Sequence, residues 1–441
     1  MMKITVSGAG YVGLVTGICL AQIGHDVTCM DVDGEKIRML QGGKCPIYDP
    51  GLDTLLRENA TRLRFTTDPQ TAYADADVIV IGVGTPEMPD GSCDLRYVYA
   101  AADSIARFAQ SGTIGAVKST VPIGTCEQLQ TYFNEKTGEK HLRVASNPEF
   151  LSQGTAVQDT LHASRIVIGA ADEETRGVLR RMVEPFDLPI VETSLCSAEM
   201  IKYASNSVLA LKISFINEIA NLCETVGADV TDVAEGMGYD ARIGGQFLRA
   251  GVGYGGSCFP KDTKALYWIS AHEGQALRTV RAAIDVNEAQ KLLPLQKARA
   301  VCGDLRGKTA AVLGLAFKPG TDDVRDAPSL KVVSELLKQG AQVQAWDPVA
   351  AERFAAALPA EVRYCADVAD ALRGADLCII LTEWDEVRSL TPQDFEKTMR
   401  MPLVIDGRNC FEPKRFVGTG VTYESIGRRP VRNHAERTDE Q

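Results

Sequence analysis

The sequence lacks a long apolar run, a long basic run and a signal-peptide pattern at its start. A membrane-spanning helix needs roughly 20 continuous apolar residues, so we expect no membrane segment. The formal net charge of −11, without clustered lysine or arginine, argues against nucleic acid and anionic membranes as partners. It does not argue against an anionic small molecule, because a few local basic residues can reverse the field inside one cleft.

Cysteine and histidine patterns of metal sites are also missing. The 12 cysteines include no C-x-x-C pair and lie mostly in apolar stretches. They are typical of reduced, buried thiols in a cytoplasmic protein, and they predict neither a disulfide framework nor a zinc site. None of the five histidines has the spacing of a catalytic or metal-ligating residue, so we expect no metal.

A chain of 441 residues is too long for one core and predicts two or three domains. Its first part alternates short apolar strands with helices, the pattern of a doubly wound parallel sheet. The predicted strands lie at 3–7, 27–31, 78–83, 115–119 and 144–146, with a helix at 13–23.

The pattern changes near residue 197. Ser197 is a candidate cap for a helix that runs to about residue 224 without Pro or Gly. Such a helix is roughly 40 Å long and can join two domains. Further helices are predicted at 230–235, 263–272 and 277–300, and Pro294 is expected to break or kink the last one.

Beyond residue 308 the alternation returns and echoes the first part. H-D-V-T-C-M-D at 25–31 resembles A-Q-V-Q-A-W-D at 341–347, and A-D-V-I-V-I at 76–81 resembles A-D-L-C-I-I at 375–380. The predicted fold is α/β, with two Rossmann-like doubly wound domains (1–196 and 301–427) joined by a central all-helical domain (197–300) with one long helix. A disordered tail is expected at 428–441.

The first turn is a dinucleotide fingerprint. Gly8, Gly10 and Gly13 follow a strand and open a helix, so that the pyrophosphate of a dinucleotide can lie on the helix N-terminus. Asp31 ends the next strand, where its carboxylate can bind a ribose 2′-hydroxyl and repel a 2′-phosphate. The cofactor predicted is therefore NAD. The corresponding turn of the second sheet, G-L-A-F-K at 314–318, lacks the three glycines and need not bind a dinucleotide.

A nucleophilic thiol accompanies this fingerprint. Cys258 stands in G-V-G-Y-G-G-S-C-F-P-K-D at 251–262, where glycines permit close approach of a ligand and Lys261 favours the thiolate. An aldehyde bound to sulfur becomes a thiohemiacetal, which can lose a second hydride. The pair of motifs predicts a dehydrogenase that removes four electrons. An inert core cysteine is the alternative.

Other polar residues stand where ligands of such sheets bind. Lys202 and Asn206 are spaced i, i+4 on the long helix and can hold an oxygen atom, although a solvated helix face has the same spacing. Glu149 and Thr120 follow strands, where Glu149 could serve as a base and Thr120 as a hydrogen-bonding partner; turn chemistry is the alternative. Lys318, Arg325 and Arg408 end strands or lie in loops of the second sheet and could bind phosphates.

These motifs together resemble the UDP-glucose 6-dehydrogenase family, within the nucleotide-sugar dehydrogenases. The resemblance covers residues 1 to about 427 and rests on G-A-G-Y-V-G, V-G-T-P, S-T-V-P, N-P-E-F-L, the Lys202/Asn206 pair, the Cys258 segment and A-F-K-P-G-T-D-D-V-R. It implies an NAD domain, a central dimerisation domain and a UDP-binding domain. It also implies a homodimer or higher homo-oligomer and the reaction UDP-glucose + 2 NAD⁺ + water → UDP-glucuronate + 2 NADH.

The resemblance also implies roles for individual residues. Cys258 is similar to the nucleophile, Lys202 and Asn206 to the holders of the oxygen on C6, and Asp262 to the carboxylate that supports base chemistry and thioester hydrolysis. Thr120 and Glu149 would place a water. The implied NAD contacts are Gly8, Gly10, Tyr11, Val12, Gly13, Asp31, Lys36, Thr85, Thr120, Glu149, Lys261 and Arg325.

The implied substrate contacts are Glu149, Phe150, Leu151, Ser152, Gln153, Lys202, Asn206, Phe247, Leu248, Arg249, Ala250, Gly251, Gly255, Lys318 and Arg408, with Arg242 reaching the substrate of a neighbouring subunit. Many relatives have a charged pair where this chain has Ser152–Gln153. The alternatives are GDP-mannose or a UDP-N-acetylhexosamine as substrate, or a non-catalytic nucleotide-sugar binding protein. A two-electron hydroxyacid dehydrogenase would have no need for Cys258.

Overall fold

The structure, a computed structural model, describes residues 1–432, except for the side chain of residue 139. It divides into two compact units, Met1–Ser205 with Lys264–Gln275, and Asn206–Thr263 with Ala276–Gln441. Residues 197–300, predicted as one central domain, therefore contribute to both units. The chain passes from one unit to the other three times: within helix α9 (Leu195–Val226), within helix α11 (Phe259–His272) and between Gln275 and Ala276.

The first unit contains an eight-stranded sheet of order β3-β2-β1-β4-β5-β6-β7-β8. Its strands are β1 (Lys3–Ser7), β2 (Asp26–Met30), β3 (Leu63–Thr66), β4 (Val78–Ile81), β5 (Ile114–Val117), β6 (Arg143–Ser146), β7 (Ile166–Ala170) and β8 (Ile190–Thr193). The helices are α1 (Tyr11–Gln22), α2 (Gly34–Gln41), α3 (Leu52–Glu58), α4 (Pro69–Tyr73), α5 (Arg96–Phe108), α6 (Thr125–Thr137), α7 (Ala156–Leu161) and α8 (Glu173–Val183).

Strands β1 to β6 are parallel, as predicted, whereas β7 runs antiparallel to β6. All four residues of β4 and all four of β5 are buried. Burial on both faces is what helices packed on each side of a parallel sheet produce. The alternation of strands and helices predicts a parallel sheet throughout, so the antiparallel pairing of β6 with β7 differs from the prediction.

The second unit contains a six-stranded sheet of order β11-β10-β9-β12-β13-β14, and all of its pairs are parallel. Its strands are β9 (Thr309–Leu313), β10 (Gln342–Trp346), β11 (Arg363–Tyr364), β12 (Leu377–Ile380), β13 (Leu403–Asp406) and β14 (Thr422–Ser425). Its helices after α11 are α12 (Arg278–Gln290), α13 (Leu293–Cys302), α14 (Pro328–Lys338), α15 (Ala351–Ala357), α16 (Val368–Leu372), α17 (Asp385–Arg388) and α18 (Pro392–Thr398).

The internal echo in the sequence corresponds to equivalent strands. The segments at 25–31 and 341–347 contain β2 and β10, and those at 76–81 and 375–380 contain β4 and β12. In the first sheet β2 and β4 flank β1, and in the second sheet β10 and β12 flank β9. The six-strand order 3-2-1-4-5-6 therefore occurs in both sheets. The prediction of two Rossmann-like sheets is confirmed.

The central helices follow the prediction with one correction. Helix α9 has 32 residues and begins at Leu195, and the hydroxyl of Ser194 accepts the Ser197 amide at 3.2 Å, so Ser194 rather than Ser197 is the cap. The break expected in the helix at 277–300 is present: the segment forms two helices, with Pro294 in the first turn of α13, where its missing amide hydrogen is tolerated. Helix α10 (Val230–Gly238) completes this part. Among residues 1–432, no helix is long and apolar enough to cross a membrane.

The ordered chain extends further than predicted. Arg428, placed in the expected disordered tail, is buried, and its guanidinium donates to the hydroxyl of Tyr423 at 2.9 Å. Val431 forms a bridge with Tyr423 beside β14. The polar composition of this segment predicts disorder, because composition alone does not reveal these contacts. The rest of the predicted tail, 433–441, lies outside the described residues.

Candidate active site

The first turn of the N-terminal sheet fits a dinucleotide. A Cβ atom on Gly13 would lie 1.9 Å from the carbonyl oxygen of Gly8, so only glycine allows helix α1 to pack on this turn. Gly8 itself has a φ of 97°. A Cβ on Gly10 would meet nothing within 4 Å, which leaves the helix N-terminus open to a phosphate group.

Asp31 follows β2 and organises the same turn. Its Oδ2 accepts the Ala9 amide at 2.8 Å and the Lys36 ammonium at 2.9 Å. Its Oδ1 accepts the Asp33 amide at 3.0 Å. A buried carboxylate fixed in this place can accept hydrogen bonds from ribose hydroxyls. The residues predicted to hold NAD in this unit are thus brought together at Gly8–Gly13, Asp31 and Lys36.

Tyr11, the next residue of the fingerprint, links this turn to the segment after β6. Its hydroxyl donates to Asp49, and the amide of Gly154 donates to both the Tyr11 hydroxyl and Asp49 Oδ2 at 2.8 Å. Burial, followed by the hydrogen bond to Asp49, raises the pKa of Tyr11. Tyr11 is therefore a neutral phenol that fixes the end of the N-P-E-F-L segment at 147–151.

Glu149 and Lys202 form a buried ion pair. Lys202 Nζ donates to Glu149 Oε1 at 2.9 Å, and the two side chains are only 4% and 6% exposed. The other oxygen of Glu149 accepts the Leu151 amide at 2.7 Å. Because the loss of one partner would leave a buried charge without compensation, these two residues depend on each other. The predicted helix face at Lys202 is thus not a solvated one.

Lys118 is a second cation near this pair and was not predicted. It follows β5, and its ammonium donates to Asn147 Oδ1 at 3.0 Å, while Asn147 Nδ2 donates to the carbonyl of Val167 at 2.8 Å. Burial lowers the pKa of Lys118 to about 8, the charge of Glu149 acting against this shift and that of Lys202 adding to it. A lysine directly after four buried strand residues was the available signal.

Thr85 and Thr120 are brought together by the ends of β4 and β5. The hydroxyl of Thr85 donates to the carbonyl of Thr120 at 2.9 Å. The loop that carries Thr120 is held at its far end by Glu199 of α9, whose two oxygens accept the amides of Gly124 and Cys126 at 2.6 and 2.8 Å. Glu199 thereby caps α6, and burial raises its pKa.

In the second unit, Cys258 precedes the first residue of α11. Negative charge on its sulfur is favoured there by the helix dipole. The hydroxyl of Ser257 lies 3.6 Å from Cys258 Sγ. Burial lowers the pKa of Arg325, whereas its hydrogen bonds to Asp323 and the negative charges of Asp323 and Cys258 raise it. The net result is a pKa above the ordinary arginine value.

Asp262 accepts hydrogen bonds from two further predicted residues. It is 1% exposed, accepts Asn206 Nδ2 at 2.6 Å and accepts Lys261 Nζ at 2.5 Å. Its backbone amide donates to the Cys258 carbonyl at 2.8 Å, which is the first turn of α11. Asn206 and the partly buried Lys261 therefore form one polar cluster with the buried Asp262, beside the segment that carries the thiol.

The predicted substrate segment 247–255 has a backbone set by its neighbours. Phe247 has a φ of 64°, a conformation that is unusual for a bulky residue and often marks a functional site. The amide of Gly251 donates to Asn217 Oδ1 at 2.9 Å, and its carbonyl accepts Gln290 Nε2 at 2.8 Å. A Cβ on Gly255 would lie 2.6 Å from the carbonyl oxygen of Asp326. Leu248 and Ala250 are buried.

The remaining predicted residues are more dispersed. Arg242 is 89% exposed and pairs with Asp240, so within its own unit it joins no other predicted site residue. Lys318 lies 5.7 Å from the ring centroid of Phe317. Arg408 is buried more deeply, and its guanidinium donates to backbone carbonyls. In residues 1–432, no group of three or more His, Cys, Asp or Glu side chains could hold a metal ion.

Family models match three successive parts of the chain. Residues 2–187 match the NAD binding domain of the UDP-glucose/GDP-mannose dehydrogenase family, residues 196–289 its central domain and residues 311–413 its UDP binding domain. The chain belongs to this family. The protein is accordingly an NAD-dependent oxidoreductase, and the predicted resemblance, fold class and cofactor are confirmed.

Individual members of this family are similar to this chain over nearly its whole length. A UDP-glucose 6-dehydrogenase of Bacillus subtilis is 47% identical, with 98% of each chain covered. A solved UDP-glucose dehydrogenase from Pyrobaculum islandicum has a TM-score of 0.91 at 39% identity and covers 96% of this chain and 97% of its own. A solved UDP-D-ManNAc dehydrogenase from Pyrococcus horikoshii has a TM-score of 0.86 at 28% identity, with 97% and 99% covered.

Replacement of Asp31 by Asn should weaken NAD binding. The neutral amide keeps one acceptor oxygen but loses the charge that pairs with Lys36 and that a ribose hydroxyl would meet, at about 1–2 kcal/mol, or roughly tenfold in the dissociation constant. The preference for NADH over NADPH should fall in parallel, measured by fluorescence titration. Asp33→Asn, on the same loop, caps α2 equally well and should bind as wild type. Equal affinities of the Asp31 variant and wild type would contradict this assignment.

Lys118 should make stability depend on alkaline pH. Its pKa of about 8 in the folded state lies below the ordinary lysine value of about 10.4. Between these values the unfolded chain retains a proton that the folded chain has lost, so the Lys118 contribution to stability rises with pH. The thermal midpoint of wild type relative to Lys118→Met should therefore increase from pH 8 to pH 10. The exposed Lys44, changed to Met, should show no such slope, and a flat Lys118 difference would refute the shift.

Proposed function

We propose that this protein is a UDP-glucose 6-dehydrogenase, which oxidises the C6 hydroxyl of UDP-glucose to the carboxylate of UDP-glucuronate. The observation that carries the proposal is the half-buried thiol of Cys258 before helix α11, beside the Asn206–Lys261–Asp262 cluster. An oxidation that ended at the aldehyde would not need a nucleophilic sulfur. The relatives named UDP-glucose 6-dehydrogenase, at up to 47% identity, support the choice of sugar nucleotide.

The first oxidation removes a hydride from C6 and a proton from its hydroxyl. Bound NAD⁺ supplies the hydride acceptor, and Gly8–Gly13, Asp31 and Lys36 would hold it, with contributions from Thr85, Lys261 and Arg325. The ammonium of Lys202 and the amide of Asn206 would stabilise the alkoxide-like oxygen. Lys202 is suited to this role because its charge is kept in place by Glu149 at 2.9 Å.

The second oxidation proceeds on the enzyme. The Cys258 sulfur adds to the aldehyde carbon to give a thiohemiacetal, which becomes a thioester by losing its hydroxyl proton and a second hydride, for which a second NAD⁺ would be the acceptor. Water then attacks the thioester carbon and the thiolate leaves. Asp262 would support the proton transfers of this stage, and Thr120 and Glu149 would orient the water. The substrate would contact Glu149–Gln153, Phe247–Gly251, Gly255 and Lys318.

Two alternatives use the same residues. GDP-mannose or a UDP-N-acetylhexosamine would undergo the same chemistry, and a relative of 28% identity is named for UDP-D-ManNAc. A non-catalytic binding protein would have no reason to retain Cys258, Lys202, Asn206 and Asp262 together. The Ser152–Gln153 pair removes side-chain charge from the N-P-E-F-L turn, which matters little if that turn binds its ligand through backbone amides.

The decisive measurement is the NADH released per limiting nucleotide sugar, with UDP-glucose, GDP-mannose and UDP-N-acetylglucosamine assayed separately. We expect about two NADH from UDP-glucose, as the four-electron route requires, and almost none from the others. Two from another sugar would change the substrate and keep the mechanism. One NADH would remove Cys258 from the reaction, and none from any sugar would favour the binding protein.

Cys258→Ser tests the covalent stage within the same assay. Its alcohol is a much weaker nucleophile, so first-step chemistry should persist while steady turnover is lost, with less than about one thousandth of wild-type kcat. Cys196→Ser, on a thiol at the start of α9, is the matched control and should turn over normally. Full turnover of the Cys258 variant would overthrow the thioester route.

We propose further that the protein is a homodimer built on helix α9. Met200, Val208, Phe215, Leu222 and Val226 are each between 43% and 67% exposed, and their spacing of seven or eight residues, then four, places them along one side of the helix. A stripe of this kind is typical of helix pairing. The exposed Arg242 is compatible with reaching a second subunit. Cytoplasmic location stays a prediction.

Charged residues in this stripe should separate the subunits. Phe215→Glu and Leu222→Glu together would bury two carboxylates in an apolar interface, at a cost of several kcal/mol, and should give monomers in sedimentation velocity. Val417→Glu alters an apolar residue that is 67% exposed elsewhere and should sediment as wild type. A wild-type monomer, or a dimer that survives the double change, would exclude α9 as the interface.

A further inference from the structure

Glu383 lies between two arginines of the second sheet. It follows β12, with Oε1 at 3.7 Å from Arg249 Nη1 and Oε2 at 3.4 Å from Arg408 Nε. The buried Oε2 accepts no hydrogen bond among the described residues, since the Nε–H of Arg408 is directed to the carbonyl of Leu381 at 2.7 Å. The contact is therefore an ionic one without a hydrogen bond, in a place largely shielded from water.

Arg408 uses its guanidinium to hold the backbone. Besides Leu381, it donates to the carbonyl of Phe317 at 2.7 Å and, more weakly, to that of Gly253 at 3.5 Å. Its own carbonyl accepts Arg249 Nη2 at 3.0 Å. Three of the five N–H groups of the guanidinium are used in this way, which leaves two for a ligand. Arg408 is thus suited to positioning loops, and its predicted contact with substrate stays a prediction.

The loops held in this way are those that carry the proposed chemistry. Gly253 belongs to the 251–258 segment that ends at Cys258, and Phe317 belongs to the turn after β9. The segments also touch directly: a Cβ on Gly251 would lie 2.9 Å from the carbonyl oxygen of Gly407, and a Cβ on Gly256 would lie 2.9 Å from the ring of Phe317. The segments are therefore closely packed at these two points.

We propose that Glu383 is a positioning residue that, as the counter-ion shared by Arg408 and Arg249, holds the 251–258 segment and the 314–318 turn in the arrangement that binds UDP and presents Cys258. Without this carboxylate, Arg408 would be a buried cation lacking an anionic neighbour within 4 Å among the described residues. The guanidinium would then turn away from the carbonyls and release both loops. This inference rests on the proposed function, because it assigns a role within the same nucleotide-sugar site.

The test uses Glu383→Gln in the full-length protein, with UDP as the probe. We expect the dissociation constant for UDP, measured by calorimetry, to increase about fivefold, the size of one lost charged contact. Iodoacetamide should alkylate Cys258 faster than in wild type, followed by mass spectrometry of its peptide. NADH binding should change much less than UDP binding, since most of the proposed NAD contacts, at Gly8–Gly13, Asp31 and Lys36, lie in the first unit. Glu383→Asp keeps the charge and should fall between the two, which also serves if the Gln variant folds poorly.

Glu386→Gln is the matched control, because Glu386 is an exposed glutamate in the short helix α17, which begins two residues after Glu383. It should bind UDP and expose Cys258 as wild type does. Tighter or unchanged UDP binding in Glu383→Gln would mean that the arginines serve the ligand directly, and an unchanged alkylation rate would mean that the loop is held otherwise; either overturns the inference. Failure of wild type to bind UDP would instead overturn the proposed function.

Discussion

The buried pair of Lys202 and Glu149 is the interaction on which the first unit's share of the site depends. Each ion loses several kcal/mol of solvation on leaving water, and the oppositely charged partner at 2.9 Å offsets much of that loss. The pair fixes the segment after β6 against the first turns of α9. A well-packed apolar pair would hold these elements at least as firmly. We therefore attribute the presence of two charges here to the chemistry proposed for Lys202 and Glu149.

The second unit applies the same rule to different groups. Asp262 is buried and receives hydrogen bonds from Asn206 and Lys261, and Glu383 compensates Arg408. Every one of these ions is anchored by a residue from another helix or loop. Removal of one partner would therefore leave a buried charge without compensation and would also loosen the segment that the partner holds. Such networks are costly to assemble, but they keep catalytic groups in one geometry before a ligand arrives.

Much of this could be predicted from sequence. Three features could be recognised because each is a short, continuous stretch whose own residues determine its backbone: the glycine fingerprint, the repeated strand segments and the Cys258 segment. Lys118, Glu199 and Glu383 could not be found in this way, because their importance lies in partners 29, 75 and 25 residues away. The antiparallel β7 and the buried Arg428 have the same cause, since packing against distant elements decided them. The roles of the individual site residues stay predictions.

The two sheets share one strand order, and only their first turns explain why they differ in what they bind. In the first, Gly10 leaves the helix N-terminus open, and Asp31 fixes the turn from one side. In the second, a Cβ on Gly314 would lie 2.3 Å from Thr382, and Asp347 accepts the amides of Leu315 and Ala316 as well as the indole of Trp384. Asp31 accepts one amide of the first turn, at Ala9, whereas Asp347 accepts two of the second, which leaves fewer amides there for a pyrophosphate. This favours a ligand held through loops in the second sheet, where we propose that Arg408 and Glu383 act.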